Sequence, residues 1–286
     1  MAASIALATL AVRRYTTPVV QGGFSEVDRS TDPQYFVAYL DAAGANAAIR
    51  LLEDRILERL QIKPGGRFLD VGCGTGDDVR GMARLVGPGG WVVGVDNSAT
   101  MIEEASKRSA GLSLPVEFRL ADAAALDFAD ATFDGCRTER VLQHVSDPQA
   151  VLGEIVRVAK PGGRVVCLEP DWETLVVDAP DRDTTRAILN FRCDSIKNGW
   201  IGRQLPRLFK QAGLTDVRVE LPSMAEIDFQ FADAAFQLRA YAEQAAEAGV
   251  VTTAAAMAWS RSLEQAAANG CFFMTVTPFL VSASKP

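Results

Sequence analysis

The sequence predicts an α/β fold: a doubly wound, mostly parallel sheet of seven strands under a helical cap. Three observations carry this. Short apolar runs alternate with amphipathic stretches from residue 48 to about residue 170, the pattern of a parallel sheet with helices on both faces. The first run opens into a glycine turn, Leu69–Gly76 (LDVGCGTG), and the second, WVVGVD, closes on Asp96. Beyond residue 222, two alanine-rich helical stretches exceed what a connection between strands requires.

The elements follow in order. Residues 48–61 put Ile49, Leu52, Ile56, Leu57 and Leu60 on one helical face with charges opposite. Lys63-Pro64-Gly65-Gly66 stops that helix and introduces the first strand, Arg67–Val71. Gly76–Val86 reads as helix, Trp91–Val95 as strand, Ser98–Ala110 as helix, Val116–Leu120 as strand and Phe133–Arg137 as strand. Asp147-Pro148 gives an N-cap acid and a proline at the first helical position, opening a helix that ends before Pro161-Gly162-Gly163. Arg164–Leu168 is the fifth strand, and residues 169–172 are expected to leave the sheet edge. Helices are expected over Asp183–Lys197, Leu205–Ala212, Ala232–Ala248 and Thr253–Ala268, with strands over Asp216–Leu221 and Phe272–Ala283. Pro278 inside the last of these argues for a bulge or irregular ladder.

Glycines 72, 74 and 76 remove Cβ atoms where the chain turns, so the turn can take positive φ and a ligand can approach the backbone. Asp96 sits where an acid accepts hydrogen bonds from ribose hydroxyls. A dinucleotide fingerprint would place glycine or alanine at position 77 and leave the helix N-terminus free for pyrophosphate. Asp77 and Asp78 stand there instead. Two carboxylates in a first helical turn suit the helix dipole but repel a diphosphate, so the expected ligand is a nucleoside without phosphates, and a cation.

The ordered set LDVGCGTG, VVGVD, ADA, FDGCRTERVLQHVSDP and VAKPGGRVVCLEPD resembles the class I S-adenosylmethionine-dependent methyltransferases, the broad group that includes the ubiquinone and menaquinone C-methyltransferases and many natural-product enzymes. The resemblance covers about residues 48–222 and the last strand. It implies a Rossmann-like sheet whose last strand is antiparallel and lies between the fifth strand and the strand preceding that last one, and S-adenosylmethionine as the methyl donor. It further implies that Asp70 lies near the methionine ammonium group, that Gly72, Cys73, Gly74 and Gly76 follow the carboxypropyl arm, and that Asp96 takes the ribose. Asn97 and Met101 would face adenine, while Asp122 and the Ala123 amide would read its edge. Tyr35, with Phe36 and Tyr39, would close over the donor, as aromatics of that region do in related enzymes.

Methyl transfer from a sulfonium is an in-line displacement in a dry cleft. An oxygen or nitrogen acceptor also sheds a proton, and His144 is the single histidine able to take it near neutrality. In related sugar and natural-product O-methyltransferases a histidine of this loop and an acid after the fifth strand take part, which here implies His144 with Glu169 or Asp171. That family segment often reads HH, and this chain has Gln143-His144, so either could face substrate; His144 could equally hold the loop together. Arg137 joins the donor set or, like Arg140, pairs with an acidic substrate or with Glu139 and Asp171. Trp172, Phe191, Trp200, Phe229, Phe231, Phe236, Tyr241 and Trp259 are dense after the fifth strand and form an apolar acceptor pocket, the cap core, or both.

The 286 residues suit one principal domain, divided as an N-terminal helical lid (1–47), a donor-binding core (48–222), a helical cap (223–270) and the final strand (271–286). A net charge of −7 argues against tracking nucleic acid. Five scattered cysteines without a CxxC pair read as buried thiols of a reducing cytoplasm, with no metal site. No apolar run reaches the length of a membrane span. The opening MAASIALATLAVRRY is either a docking helix or, with its arginines and lack of acids, a segment resembling an organellar transit peptide. The expected activity is methylation of a small, largely apolar metabolite, oxygen favoured over carbon or nitrogen, by a monomer or homodimer. The rivals are a donor-binding scaffold, a non-methylating rearrangement, and an NAD-dependent oxidoreductase.

Overall fold

A computed structural model describes residues 23–286; the expectation for the first residues of the chain falls outside them. Two short helical turns over Gly23–Arg29 lead into α1 (Pro33–Ala45) and α2 (Ala47–Leu60), which precede the sheet. The alternation then runs β1 (Arg67–Val71), α3 (Asp77–Val86), β2 (Trp91–Asp96), α4 (Ala99–Ser109), β3 (Val116–Leu120), β4 (Phe133–Glu139), α5 (Pro148–Val158) and β5 (Ala159–Val177). After α6 (Arg182–Ser195), α7 (Ile201–Gln211), β6 (Thr215–Glu220) and β7 (Met224–Glu226), three helices, α8 (Phe229–Phe236), α9 (Leu238–Glu247) and α10 (Thr253–Ala268), precede β8 (Met274–Ser284).

The sheet order is β3-β2-β1-β4-β5-β8-β6, with β7 pairing β8 off that path. β1 to β5 are mutually parallel, and β8 runs antiparallel between β5 and β6. The sheet therefore has eight strands where seven are legible, because Met224–Glu226 is too short to declare itself by alternation. The chain winds outward from β1 to β3 and returns to β4, so its order reverses between β1 and β4. Ligands of open α/β sheets bind at that reversal, outside the carboxyl ends of the strands.

β5 departs from the sequence reading. Residues 169–172 stay inside the sheet, Glu169 opposite Phe279 and Asp171 opposite Thr277, and the strand continues to Val177. The irregularity lies in β5, between Asp171 and Val176, and not at Pro278, which faces Pro170 in register. Two prolines opposite one another suit a ladder position where neither is asked for an N–H.

One apolar core fills the β1-β4-β5 side against α5 and α7, with Leu69, Phe133, Leu152, Ile155 and Phe209 all buried. A second packs α2 and α3 on the opposite face through Ile56, Leu60, Phe68 and Met82. The cap has its own core, in which Leu175, Ile188 and Leu189 join Phe229, Leu238, Trp259, Leu263 and Met274. α6 thus serves the cap although it lies before residue 223. The helix expected over Ala232–Ala248 is broken at Gln237, which takes left-handed φ 53 and divides α8 from α9. No helix among the described residues is long and apolar enough to cross a membrane.

Candidate active site

A cavity of about 960 Å³ opens at the carboxyl ends of the strands, between the sheet and a roof made by the N-terminal segment and the cap. Of the residues expected to hold the donor, Tyr35, Asp70, Gly72, Cys73, Gly74, Asp96, Asn97, Met101, Asp122, Ala123 and Arg137 line it. Gly76 does not. A Cβ there would stand 2.6 Å from the Phe118 ring, and φ is +76, so this glycine seats α3 against β3. The glycine turn is close-packed elsewhere too: a Cβ on Gly72, at φ +79, would lie 2.1 Å from Val141.

Asp96 braces this turn. One carboxylate oxygen accepts from the Gly74 amide at 2.9 Å and the other from the Ser98 amide at 3.0 Å. Burial raises its pKa, opposed by those amides and that of Asn97. Asp28, unannounced by any sequence signal, reaches down from the N-terminal segment to accept from Ser98 Oγ and the Ala99 amide, both at 2.7 Å. This acid at the start of α4 complements the helix dipole and ties the roof to the donor side.

Arg137 occupies the strand reversal, 1 % exposed. Its guanidinium meets Asp70 at 3.4 Å, Asp78 at 2.9 Å and Glu139 at 2.5 Å. Burial works against its charge, yet Asp70, Asp78, Glu139 and Glu53 hold its pKa above the ordinary arginine value. Arg140 pairs with Glu139 at 3.2 Å. Asp70 is raised by burial, against the pull of Arg137. Glu53, from α2, is pushed up to about 8 by burial and by Asp78 and Glu139. The helix that would cradle a pyrophosphate thus begins with carboxylates committed to arginines, Asp78 to Arg137 and Asp77 to Arg80. Burial also pushes the Cys73 thiol well up, leaving it inert.

The expected catalytic set comes apart. His144 lines the cavity, half-buried, its ring centre 6.0 Å from that of Phe24. Burial, with Arg140 and Lys197 nearby, lowers its pKa to about 4. Glu169 and Asp171 lie outside the cavity because β5 keeps them in the sheet. Glu169, fully buried, accepts the amides of Val141 at 2.9 Å, Leu142 at 2.7 Å and Gln143 at 3.4 Å. Asp171 takes Arg203, one guanidinium nitrogen at 2.7 Å, instead of Arg137 or Arg140. Gln143 accepts from Trp172 Nε1 at 2.7 Å, and Asn198 donates to the Leu142 and Val145 carbonyls at 2.9 and 2.8 Å. The loop is held by Glu169, Gln143 and Asn198, and the His144 ring packs beside Phe24. Glu169→Ala should therefore destabilise the fold by about 3 kcal/mol, since buried amides without acceptors cost about 1–3 kcal/mol each. Urea denaturation measures this, and Glu169→Gln, which keeps an acceptor oxygen, should recover part of the loss.

Of the aromatic residues expected to wall the acceptor, Trp172, Phe236 and Tyr241 line the cavity, whereas Phe191, Trp200, Phe229, Phe231 and Trp259 do not. Tyr35, Phe36 and Tyr39 line it from α1, and Gln237 at the cap break donates to Tyr35 Oη at 3.0 Å. Glu53, Asp28, Arg192 and Gln237 went unread in the sequence; the first three stand on helical segments and Gln237 at a helix break, all outside the motifs.

The residues present fit an adenosyl sulfonium: a glycine turn without room for side chains, acids at three strand ends, and, among the described residues, no cation free to neutralise a diphosphate at the start of α3. Comparison with known proteins agrees. A family model described as a methyltransferase domain matches residues 62–213. An uncharacterised 37.1 kDa protein of a Streptomyces fradiae transposon is 41 % identical over 248 residues, covering 86 % of this chain and 70 % of that protein. A demethylmenaquinone methyltransferase of Bacillus cytotoxicus is 41 % identical over 118 residues, 41 % of this chain and 50 % of its own length, so the chain spans about half of that relative. The fold is similar to a phosphoethanolamine N-methyltransferase of Haemonchus contortus solved with S-adenosylhomocysteine, at TM-score 0.58 and 23 % identity, covering 94 % of this chain and 61 % of that one. Matched by the family model over more than half of its length, the chain belongs to the methyltransferase-domain family and is a class I, S-adenosylmethionine-dependent methyltransferase.

Proposed function

We propose that the enzyme methylates a small, largely apolar metabolite, at oxygen in preference to carbon or nitrogen. The observation that carries this reading is His144, the one histidine, lining the cavity with its ring unbonded to any described side chain. When bound, S-adenosylmethionine supplies a methyl group made electrophilic by its sulfonium. The chain's own residues do the rest. Asp70 faces the ammonium group, Gly72 to Gly74 leave backbone for the carboxypropyl arm, and Asp96 accepts from the ribose hydroxyls. Asn97 and Met101 bound the adenine, with Asp122 and the Ala123 amide at its edge. Tyr35, Phe36 and Tyr39 exclude water, and this matters because attraction between acids and a cation strengthens as the cleft dries. His144, neutral above a pKa of about 4, accepts the proton that a hydroxyl acceptor releases.

Calorimetry with S-adenosylhomocysteine and transfer of a radiolabelled methyl group into metabolite extracts test this reading. Binding with no transfer would favour a scaffold or a rearrangement, and absence of binding would reject the donor site. His144→Ala should lower methyl transfer at least tenfold, within the usual contribution of a general base of about a hundredfold or more, while donor affinity stays unchanged. The acid limb of the native kcat/KM profile should fall near 4 instead of the ordinary histidine value of 6.5, because burial disfavours the protonated ring. An unaffected rate in the variant would assign the reaction to an acceptor that needs no base at this position.

A further inference from the structure

Among the described residues, two cations that line the cavity, Arg192 and Lys197, have no carboxylate partner, and of these only Arg192 is buried. Arg192, on α6, is 5 % exposed, and its Nε donates to the Phe236 carbonyl at 3.1 Å. Its Nη1 is buried with no hydrogen-bond partner among the described residues. The guanidinium carbon lies 3.8 Å from the centre of the Trp172 ring and 5.1 Å from that of Tyr241. All three side chains line the cavity. Residues 1–22, the only ones not described, contain no Asp or Glu, so no ion pair can come from there.

The other arginines of the site behave differently. Arg137 meets three carboxylates and Arg140 meets one. A buried charge is costly unless it is paired, and aromatic faces offset only part of that cost. Burial brings Arg192 down to about 10, opposed by Tyr241, Tyr39 and Cys193. It therefore keeps its proton at neutral pH. Arg140, Lys197 and His144 line the same cavity, as do Glu53, Asp70, Asp78 and Glu139, the acids gathered around Arg137.

We propose that Arg192 recognises a carboxylate on the methyl acceptor, with Trp172 and Tyr241 walling the apolar body attached to it. This rests on the reading of the cavity as a methyl-transfer site. A guanidinium close to two aromatic rings with an unpartnered Nη1 can still donate, and a planar carboxylate matches a guanidinium edge with two parallel hydrogen bonds. Pairing withdraws electron density from the carboxylate oxygens, so the carboxylate is the handle, and the methyl group goes to a hydroxyl elsewhere on the acceptor. The substrate class is thus a hydroxylated, largely apolar carboxylic acid.

Calorimetry with hydroxybenzoate and hydroxycinnamate against their carboxamides, on the protein with and without S-adenosylhomocysteine, tests the assignment. Each acid should bind at least about tenfold more tightly than its amide, a difference of about 1.4 kcal/mol. Arg192→Gln should abolish that preference while binding S-adenosylhomocysteine as the native protein does, and Arg192→Lys should keep a reduced preference. Should Arg192→Gln not fold, Arg192→Lys and the native comparison still decide. Amides that bind as well as acids, a preference that survives Arg192→Gln, or no binding of either class at millimolar concentration would overturn the proposal. Failure of S-adenosylhomocysteine to bind would instead remove the donor reading, with the acid preference of the protein alone still readable.

Discussion

Arg137→Met should destabilise the fold by about 3–5 kcal/mol, the usual consequence of removing one partner from a buried ionic cluster. Methionine fills similar space, so the loss is electrostatic: Asp70, Asp78 and Glu139 would face one another without the guanidinium that stands 2.5–3.4 Å from each. The sign of the pH dependence follows from the carboxylates. Burial and like charge already raise Glu53 from 4.5 to about 8, and Arg137 is one of the groups holding it down. A carboxylate whose folded pKa is raised binds its proton more tightly in the folded state. Its contribution is fully present below the unfolded value and is lost as pH rises through the folded one. The variant should therefore come closest to the native protein in mild acid and fall furthest behind above about 8. Urea denaturation across that range measures it. A deficit independent of pH would mean that packing, not charge, is what Arg137 supplies.

Asp96→Ala should weaken S-adenosylhomocysteine binding by about a hundredfold. Hydrogen bonds to a charged group are worth about 1.5–3 kcal/mol, and two bonds to ribose hydroxyls at the low end give about 3 kcal/mol. The loss has a second source, since the same carboxylate holds the Gly74 amide at 2.9 Å, and without it the glycine turn is no longer fixed for the ligand. Asp96→Asn separates the two. An amide oxygen can still accept from Gly74, so the turn stays ordered while the charge is lost, and affinity should fall between native and Ala. Calorimetry reads all three proteins. Native affinity in Asp96→Ala would show that the ribose does not lie on this acid.

The glycine turn and the acids around it were legible because they sit at the ends of strands or in the turn that follows the first of them. Asp70, Asp96 and Asp122 are announced by apolar runs, and parallel winding brings those strand ends to one edge whatever the side chains between them. Gly76 misled because a glycine in such a turn has two uses, and the Phe118 ring decides which. Glu169 and Asp171 misled for a related reason. Their strand was expected to end at Leu168, where acids would spill into the cleft, but pairing with β8 carries it on to Val177 and keeps both carboxylates within the sheet layer.

Local pattern alone determined the alternating architecture, the turn without side chains and the absence of a phosphate seat, since period, glycine spacing and the sign of the first helical turn are properties of neighbouring residues. Only the tertiary structure decided which charges are answered. Arg137 gathers acids from α2, α3 and two strands; Asp28 comes from the N-terminal segment to cap α4; Arg192 is left among rings from β5 and α9. Electrostatic partnership depends on distance and burial across elements remote in sequence, and neither quantity exists until the layers have packed.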